Sequence, residues 1–198
     1  MHKTARDEIK NIVDSTLRPI LKRLGYRKKG NTWNLRDGEL IKVVNVQFSS
    51  GNTSRQAKFT VNLGVYNPDF RRESLVAGKI NEENVKEHEC EIRERLGAIS
   101  YGSDFWWTVY ANEDNEKASE DLRTRFTDRG LPWLNSFKNL EDEYNYFAER
   151  GIHRSAFVAA YVLQKESLFD HLRENLKGAN PFYAKTLEKW MAKRGLTI

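Results

Sequence analysis

The sequence predicts an α+β protein, in which a twisted antiparallel sheet of about four to five strands is covered by an N-terminal helix and followed by a helical C-terminal part. Three observations carry this reading. Phe59, Val61, Leu63 and Val65 alternate with Lys58, Thr60, Asn62 and Gly64, the period of a strand with one buried face. Leu40, Val44, Val46 and Phe48 share a parity in the preceding segment, with Ile41 and Val43 adding apolar weight to the other face, and the turn-forming run Ser49-Ser50-Gly51-Asn52-Thr53-Ser54 joins the two. Helical spacing dominates both ends of the chain.

Ile9, Ile12, Val13, Leu17, Ile20, Leu21 and Leu24 recur at three- and four-residue spacing and make an amphipathic opening helix. Gly25 suits its C-terminal end, because glycine accepts the left-handed conformation found there. Pro19 removes a backbone donor and should kink or split the helix near Thr16. Tyr26 to Leu35 reads as a short first strand, and Asp37-Gly38 is a hairpin signal before a strand starting at Glu39. Asn67-Pro68-Asp69 opens a loop that runs to about Asn84, with little regular structure expected.

Val85 to Leu96 reads two ways. As a strand it places His88, Cys90 and Ile92 on one face; as a helix it lines up Val85, Glu89, Ile92 and Leu96, and Gly97 would end either element. Phe105 to Tyr110 is aromatic and β-branched enough for a further strand. After Ala111 the pattern turns helical. Ala118, Leu122 and Phe126 mark a helix that Gly130-Leu131-Pro132 would close, and Leu134 to Phe147 marks another, ended by Gly151. Phe157 to Leu172 continues at helical spacing, and Pro181 after Asn180 begins a last helix. The expected organisation is an α+β domain over residues 1–112 and a helical extension over 113–198 packed on it.

The chain has 198 residues, enough for a sizeable core, with 31% charged and 12% aromatic residues. Its mean hydropathy of −0.73 and lack of a long apolar run argue against a membrane span, and the first residues show no apolar signal-peptide core. One cysteine, Cys90, excludes an internal disulfide and a thiolate zinc cluster within one chain. A cytoplasmic protein is expected. The net charge is +5, with Arg18, Lys22, Arg23, Arg27, Lys28 and Lys29 in one acid-free stretch and an acidic region between Glu113 and Glu149.

The order of Leu21-Lys22-Arg23-Leu24-Gly25-Tyr26-Arg27-Lys28-Lys29-Gly30, Trp33, Val44-Asn45-Val46-Gln47, Phe59-Thr60-Val61-Asn62-Leu63-Gly64, Cys90-Glu91-Ile92-Arg93-Glu94-Arg95-Leu96-Gly97 and Trp106-Trp107 resembles a bacterial family known as domain of unknown function 4304. The resemblance spans roughly the first 110 residues. It implies an α+β domain from a bacterium and a strand over Cys90 to Leu96, and it brings no catalytic residues with it.

The histidines are His2, His88, His153 and His171, and none forms an H-x-x-x-H or H-E-x-x-H pair. No nucleophile elbow, phosphate-binding glycine loop or dinucleotide fingerprint is present. His88 and Cys90 would share a strand face as metal ligands or a Cys–His couple, and Glu87, Glu89, Glu91 and Glu94 could add carboxylates for hydrolase or transferase chemistry; a buried thiol beside a solvated acidic face is the plainer alternative. No catalytic or metal residue and no cofactor is assigned.

Binding residues are a different matter. Asn45, Gln47 and Asn62 fall on the parity opposite to Val44, Val46, Val61 and Leu63, so the obvious strand register makes one sheet face rich in amides. Trp106 and Trp107 put one indole on each face, and Trp beside Arg93 and Arg95 is the composition of an interaction hot spot. The expected role is therefore non-catalytic protein binding, with an inhibitor or immunity-like role as one form of it. The alternative is nucleic-acid binding through the cluster from Arg18 to Lys29.

Overall fold

The computed structural model describes residues 3–75, 78 and 80–197; His2 and, within the segment expected as a loop, Val76, Ala77 and Lys79 lie outside the described residues. The chain divides into two compact units, residues 1–66 with 81–136, and residues 67–80 with 137–198. The helices between residues 116 and 135 thus fall in the first unit, past the expected boundary at residue 112.

In the first unit, helix α1 (Ala5–Ser15) begins with a capping box between Thr4 and Asp7. It stops at Thr16, three residues before Pro19, and α2 (Leu17–Arg23) follows as the second half of the split helix. Gly25, at φ 87°, closes α2: its N–H bonds the Lys22 carbonyl, and the Tyr26 N–H bonds that of Leu21.

The strands are β1 (Arg27–Lys29), β2 (Thr32–Asp37), β3 (Leu40–Phe48), β4 (Gln56–Tyr66), β5 (Ile92–Arg95) and β6 (Trp107–Tyr110). They form one antiparallel sheet in the order β1-β2-β3-β4-β5, with β6 also paired to β4. The single strand expected over Tyr26 to Leu35 is two, because Gly30, at φ 62°, turns the chain back so that Lys29 pairs with Thr32. Gly38-Glu39 makes the predicted hairpin, with Asp37 opposite Leu40.

On one face of the sheet Trp33, Val44, Val46, Phe59, Val61, Leu63 and Val65 are buried. Helix α1 packs on β4 there. The opposite face differs from expectation. Thr60 and Asn62 on β4 are buried as fully as Val61 and Leu63 beside them, so the central strand has no solvent-exposed side along most of its length. Two connections cover that second face: the segment ending at Cys90 lies on Gly64, and the Phe105 carbonyl accepts a 3.0 Å bond from Thr60 Oγ1.

The stretch from Val85 to Leu96 is neither a single strand nor a single helix. A 3-10 turn at Glu87–Glu89 precedes β5, and Leu96 opens helix α4 (Leu96–Tyr101). Gly97 therefore lies inside an element rather than ending one. Its missing side chain admits Phe105, whose Cβ stands 2.6 Å from where a Cβ of Gly97 would lie. Helix α5 (Glu116–Arg125) likewise does not close at Gly130-Leu131-Pro132. A wider π turn at Phe126–Gly130, with the Leu131 N–H bonded to the Phe126 carbonyl, carries the chain into α6 (Leu131–Asn135).

Trp107 is a core residue, 2% exposed, stacked on Phe59 at 5.6 Å between centroids. That removes it from the expected binding set. Its Nε1–H donates to Asp121 Oδ2 at 2.9 Å, and Tyr101 and Arg125 donate to the same carboxylate. Burial alone would raise the Asp121 pKa; these three donors together hold it below the ordinary carboxylate value.

The second unit is helical. Its α3 (Pro68–Glu73) lies where a loop is expected. Asn67 caps it by accepting from the Asp69 and Phe70 N–H groups, Pro68 occupies the first turn, and Phe70 is buried against Phe147. Helices α7 (Leu140–Glu149), α8 (His153–Val162), α9 (Leu168–Leu176) and α10 (Pro181–Ala192) complete it. Trp190 packs edge-on against Phe157 and Tyr161 and donates its indole N–H to the Glu73 carbonyl.

Both faces of β4 should be sensitive to truncation. Leu63→Ala is expected to cost about 2–5 kcal/mol by leaving a cavity. Thr60→Ala should cost about 0.5–1.5 kcal/mol, because the buried Thr60 hydroxyl no longer donates to the half-buried Phe105 carbonyl. Urea melts that find Thr60→Ala neutral would show that face to be open. For Asp121, a folded-state pKa below the unfolded value gives stability that is present above about pH 4 and lost as pH falls through the carboxylate range. The stability gap between wild type and Asp121→Asn should therefore narrow from neutral pH to about pH 3; a gap that stays constant would contradict the network.

Candidate functional site

The antiparallel register sets direct cross-strand partners on one face. Lys29 pairs with Thr32, Thr32 with Asn45, Asn45 with Asn62, and Asn62 with Arg95. One row of polar side chains thus crosses β1 to β5, with a cation at each end. Gln47 and Thr60 form the next pair along β3 and β4. The three amides expected to share a face do so, and they also bond to one another.

Asn62, 4% exposed, donates its Nδ2 to Gln47 Oε1 at 3.0 Å and to Asn45 Oδ1 at 3.4 Å. Asn45 Nδ2 donates in turn to Thr32 Oγ1 at 2.9 Å. The buried amide holds the orientation of the two more exposed ones. Because Gln47 gives its oxygen to Asn62 and its side chain is exposed, its amide nitrogen is presented outward.

Arg95 links this row to Trp106. Its guanidinium lies 5.3 Å from the indole centroid and 2.6 Å from Asp104, which also accepts from Trp106 Nε1 at 3.2 Å. Arg95 and its hydrogen bond lead the causes that lower the Asp104 pKa, so the aspartate stays ionised beside it. The result is a half-buried aromatic with a fixed cation, at the end of an amide row. Arg93 is exposed on the same face, opposite Gly64, with Glu87 at 3.8 Å. Asp104 belongs to this surface and the buried Thr32 and Thr60 lie beneath it; none of the three stood out as a site residue in the sequence, since only register and the fold of the 102–106 connection bring them in.

The segment from Val85 to Cys90 crosses the same sheet face. Asn34 Nδ2 donates to the Val85 carbonyl at 3.0 Å, and Cys90 sits on Gly64. Gly64 is the signal that could have revealed this, as a lone glycine in a strand often marks close backbone approach. Beyond the segment a cleft of about 660 Å³ is lined by Arg27, Asn34, Arg36, Ile41 and Glu82 among others, and the Arg36–Glu82 ion pair at 2.7 Å spans it.

The Cys90–His88 couple does not form. Cys90 is buried, its Sγ bonded to the Lys86 carbonyl at 3.6 Å, while His88 points to solvent from the 3-10 turn. Burial first, then the nearby Glu91 and Glu87, pushes the thiol pKa well up, which opposes a reactive thiolate. Among the described residues no group of three or more His, Cys, Asp or Glu side chains is arranged to hold a metal ion. No helix among them is long and apolar enough to cross a membrane.

The basic stretch is exposed but does not make one plane. Arg18 and Lys28 both turn to Asp14, at 3.5 and 3.6 Å. Lys22 and Arg23 occupy the last turn of α2, where cations favour the helix dipole. Arg27, Lys28 and Lys29 are the whole of the edge strand β1, and Lys28 faces Trp33 while its two neighbours take the opposite face. Charges on a short edge strand discourage pairing with another sheet.

A family model described as Domain of unknown function (DUF4304) matches residues 17–136. The chain belongs to this family. The DUF4304 match covers the whole sheet and runs on through α5 and α6, further than the resemblance of the first 110 residues. No curated protein and no solved structure matches the chain.

A double-mutant cycle tests how the crossing segment seats. A methyl at position 64 would meet Cys90 Sγ at 2.6 Å, so Gly64→Ala should cost about 1–3 kcal/mol and expose the thiol to faster labelling. Cys90→Ala should recover part of that loss in the double variant. Additive stabilities would show that the added methyl does not meet Cys90.

Proposed function

We propose that the protein acts by binding a protein partner, without chemistry on it, and that the partner docks on the sheet face formed by Asn45, Gln47, Asn62, Arg95 and Trp106. The observation that supports this most is the ordered row from Lys29 to Arg95. A buried amide orients its exposed neighbours, which lowers the ordering cost that a polar contact must meet on association. Gln47 offers donors to a partner's carbonyls, and Trp106 with Arg95 offers the aromatic and cationic anchor typical of interface hot spots. A bacterial cytoplasmic protein of inhibitor or immunity-like type would use such a face.

The reading is tested with the tagged full-length chain, used to recover its partner from its own cells with and without nuclease. Recovery should survive nuclease. Trp106→Ala should weaken the recovered complex about 30-fold, the equivalent of about 2 kcal/mol, while Lys22→Gln with Arg23→Gln should leave it unchanged. Recovery that depends on nucleic acid, or that is lost only when the Arg18–Lys29 cations are removed, would overturn the proposal in favour of nucleic-acid binding.

A further inference from the structure

The helical unit holds a cluster that no motif in the sequence announces. His153 opens α8 and His171 lies in α9, and the α8–α9 pairing brings their Nδ1 atoms to 3.0 Å. The ring centroids are 5.3 Å apart. That exceeds the nitrogen separation by about two ring radii, so the two nitrogens lie nearly on the line between the rings. Head-on nitrogens share a proton in an N–H···N bond; two ligands of one metal would instead point at a common third position.

The bond continues inward. His171 Nε2 is 3.3 Å from Tyr144 Oη, which is 2.8 Å from Ser167 Oγ. With His171 donating through Nδ1, its Nε2 accepts from Tyr144; if Nε2 gains a proton, Tyr144 accepts there and turns its own O–H to Ser167. Every hydrogen bond survives this first proton. A second proton cannot be absorbed, because it sets two N–H groups and two positive charges face to face.

We propose that the His153–His171 pair is a pH-sensitive latch that holds α8 to α9 while it carries at most one proton and releases them when both imidazoles are protonated. The charges around the pair are themselves partnered. On α9, Asp170 favours the charged form of His171 but is held at 2.8 Å by Arg173, and Glu174 interacts with His153 while paired to Lys177. From α7 the facing group is Tyr144, whose ring carries Lys165 at 4.7 Å, and Lys165 is itself paired with Glu141. Beside the pair, Arg154 lies over Tyr183 of α10, whose hydroxyl bonds Asn175 Oδ1. On α3, which also packs on α8, Asp69 pairs with Arg72 and Glu73 with Arg194.

Burial and then the charge of His153 lower the His171 pKa below its ordinary 6.5. The sign follows from this depression. The unfolded segment binds the second proton below about pH 6.5 and the folded one resists it, so latch stability is complete above that range and is lost as pH falls through it. While one proton fewer is bound in the folded form, the opening equilibrium rises about tenfold per pH unit.

Hydrogen exchange of the full-length chain, read on peptides covering residues 153–176 and corrected for intrinsic rates, tests the latch between about pH 7.5 and about pH 5. Wild type should open at least about tenfold more at the acidic end. His153→Gln keeps a hydrogen-bonding group without a titratable charge and should reduce that increase, leaving the part that burial of His171 causes. Should this variant fail to fold, histidine NMR of the wild type decides alone, with His171 expected to titrate below its ordinary value. Equal pH dependence in both proteins, two coincident ordinary titrations, or saturable Zn²⁺ binding that requires both histidines would each overturn the proposal.

Discussion

The sheet depends on the double burial of β4. This strand pairs with β3 on one side along eight positions and with both β5 and β6 on the other. A strand so placed has no free edge over much of its length, and its second face must be covered by whatever chain the fold can bring across it. The covering pieces are short irregular connections. They need room against the backbone, which Gly64 provides beneath Cys90 and Gly97 provides beneath Phe105. The two glycines therefore serve packing at positions where their own backbone angles are ordinary.

The candidate binding surface is what remains of that face after it has been covered. The segment from Val85 to Cys90 takes the middle of the sheet over Asn34 and Gly64. The amide row lies to one side of it and the arginine-lined cleft to the other. Asn62 is the hinge between structure and surface. Its burial requires hydrogen-bond partners, and the partners it takes are the amides that reach solvent. A polar group satisfied in this way adds little net stability but gives one orientation to its neighbours.

The electrostatics of the chain are local in both units. The net charge of +5 suggests a basic protein, yet the densest basic stretch is dispersed over a helix end and both faces of an edge strand. Asp121 gathers three donors where α4, α5 and β6 meet, and Asp104 is matched to Arg95. In the helical unit the unusual feature is a pair of imidazoles whose Nδ1 atoms meet at 3.0 Å.

By itself the sequence determined the fold class, the break in the opening helix near Thr16, the glycine stop at Gly25, the β3–β4 hairpin, and the parity that groups Asn45, Gln47 and Asn62 on one face. Each of these follows from spacing along the chain: a period of two, a period of three to four, or the special backbone needs of proline and glycine. Tertiary structure decided the rest. That Trp107 is core while Trp106 meets Arg95, that His88 and Cys90 part company, that the helical path from α5 continues through Gly130 into α6, and that His153 meets His171 all rest on contacts between distant segments. Local spacing carries no record of such contacts, because what buries a side chain or supplies its partner is set by how separate elements pack, and only the folded chain brings those elements together.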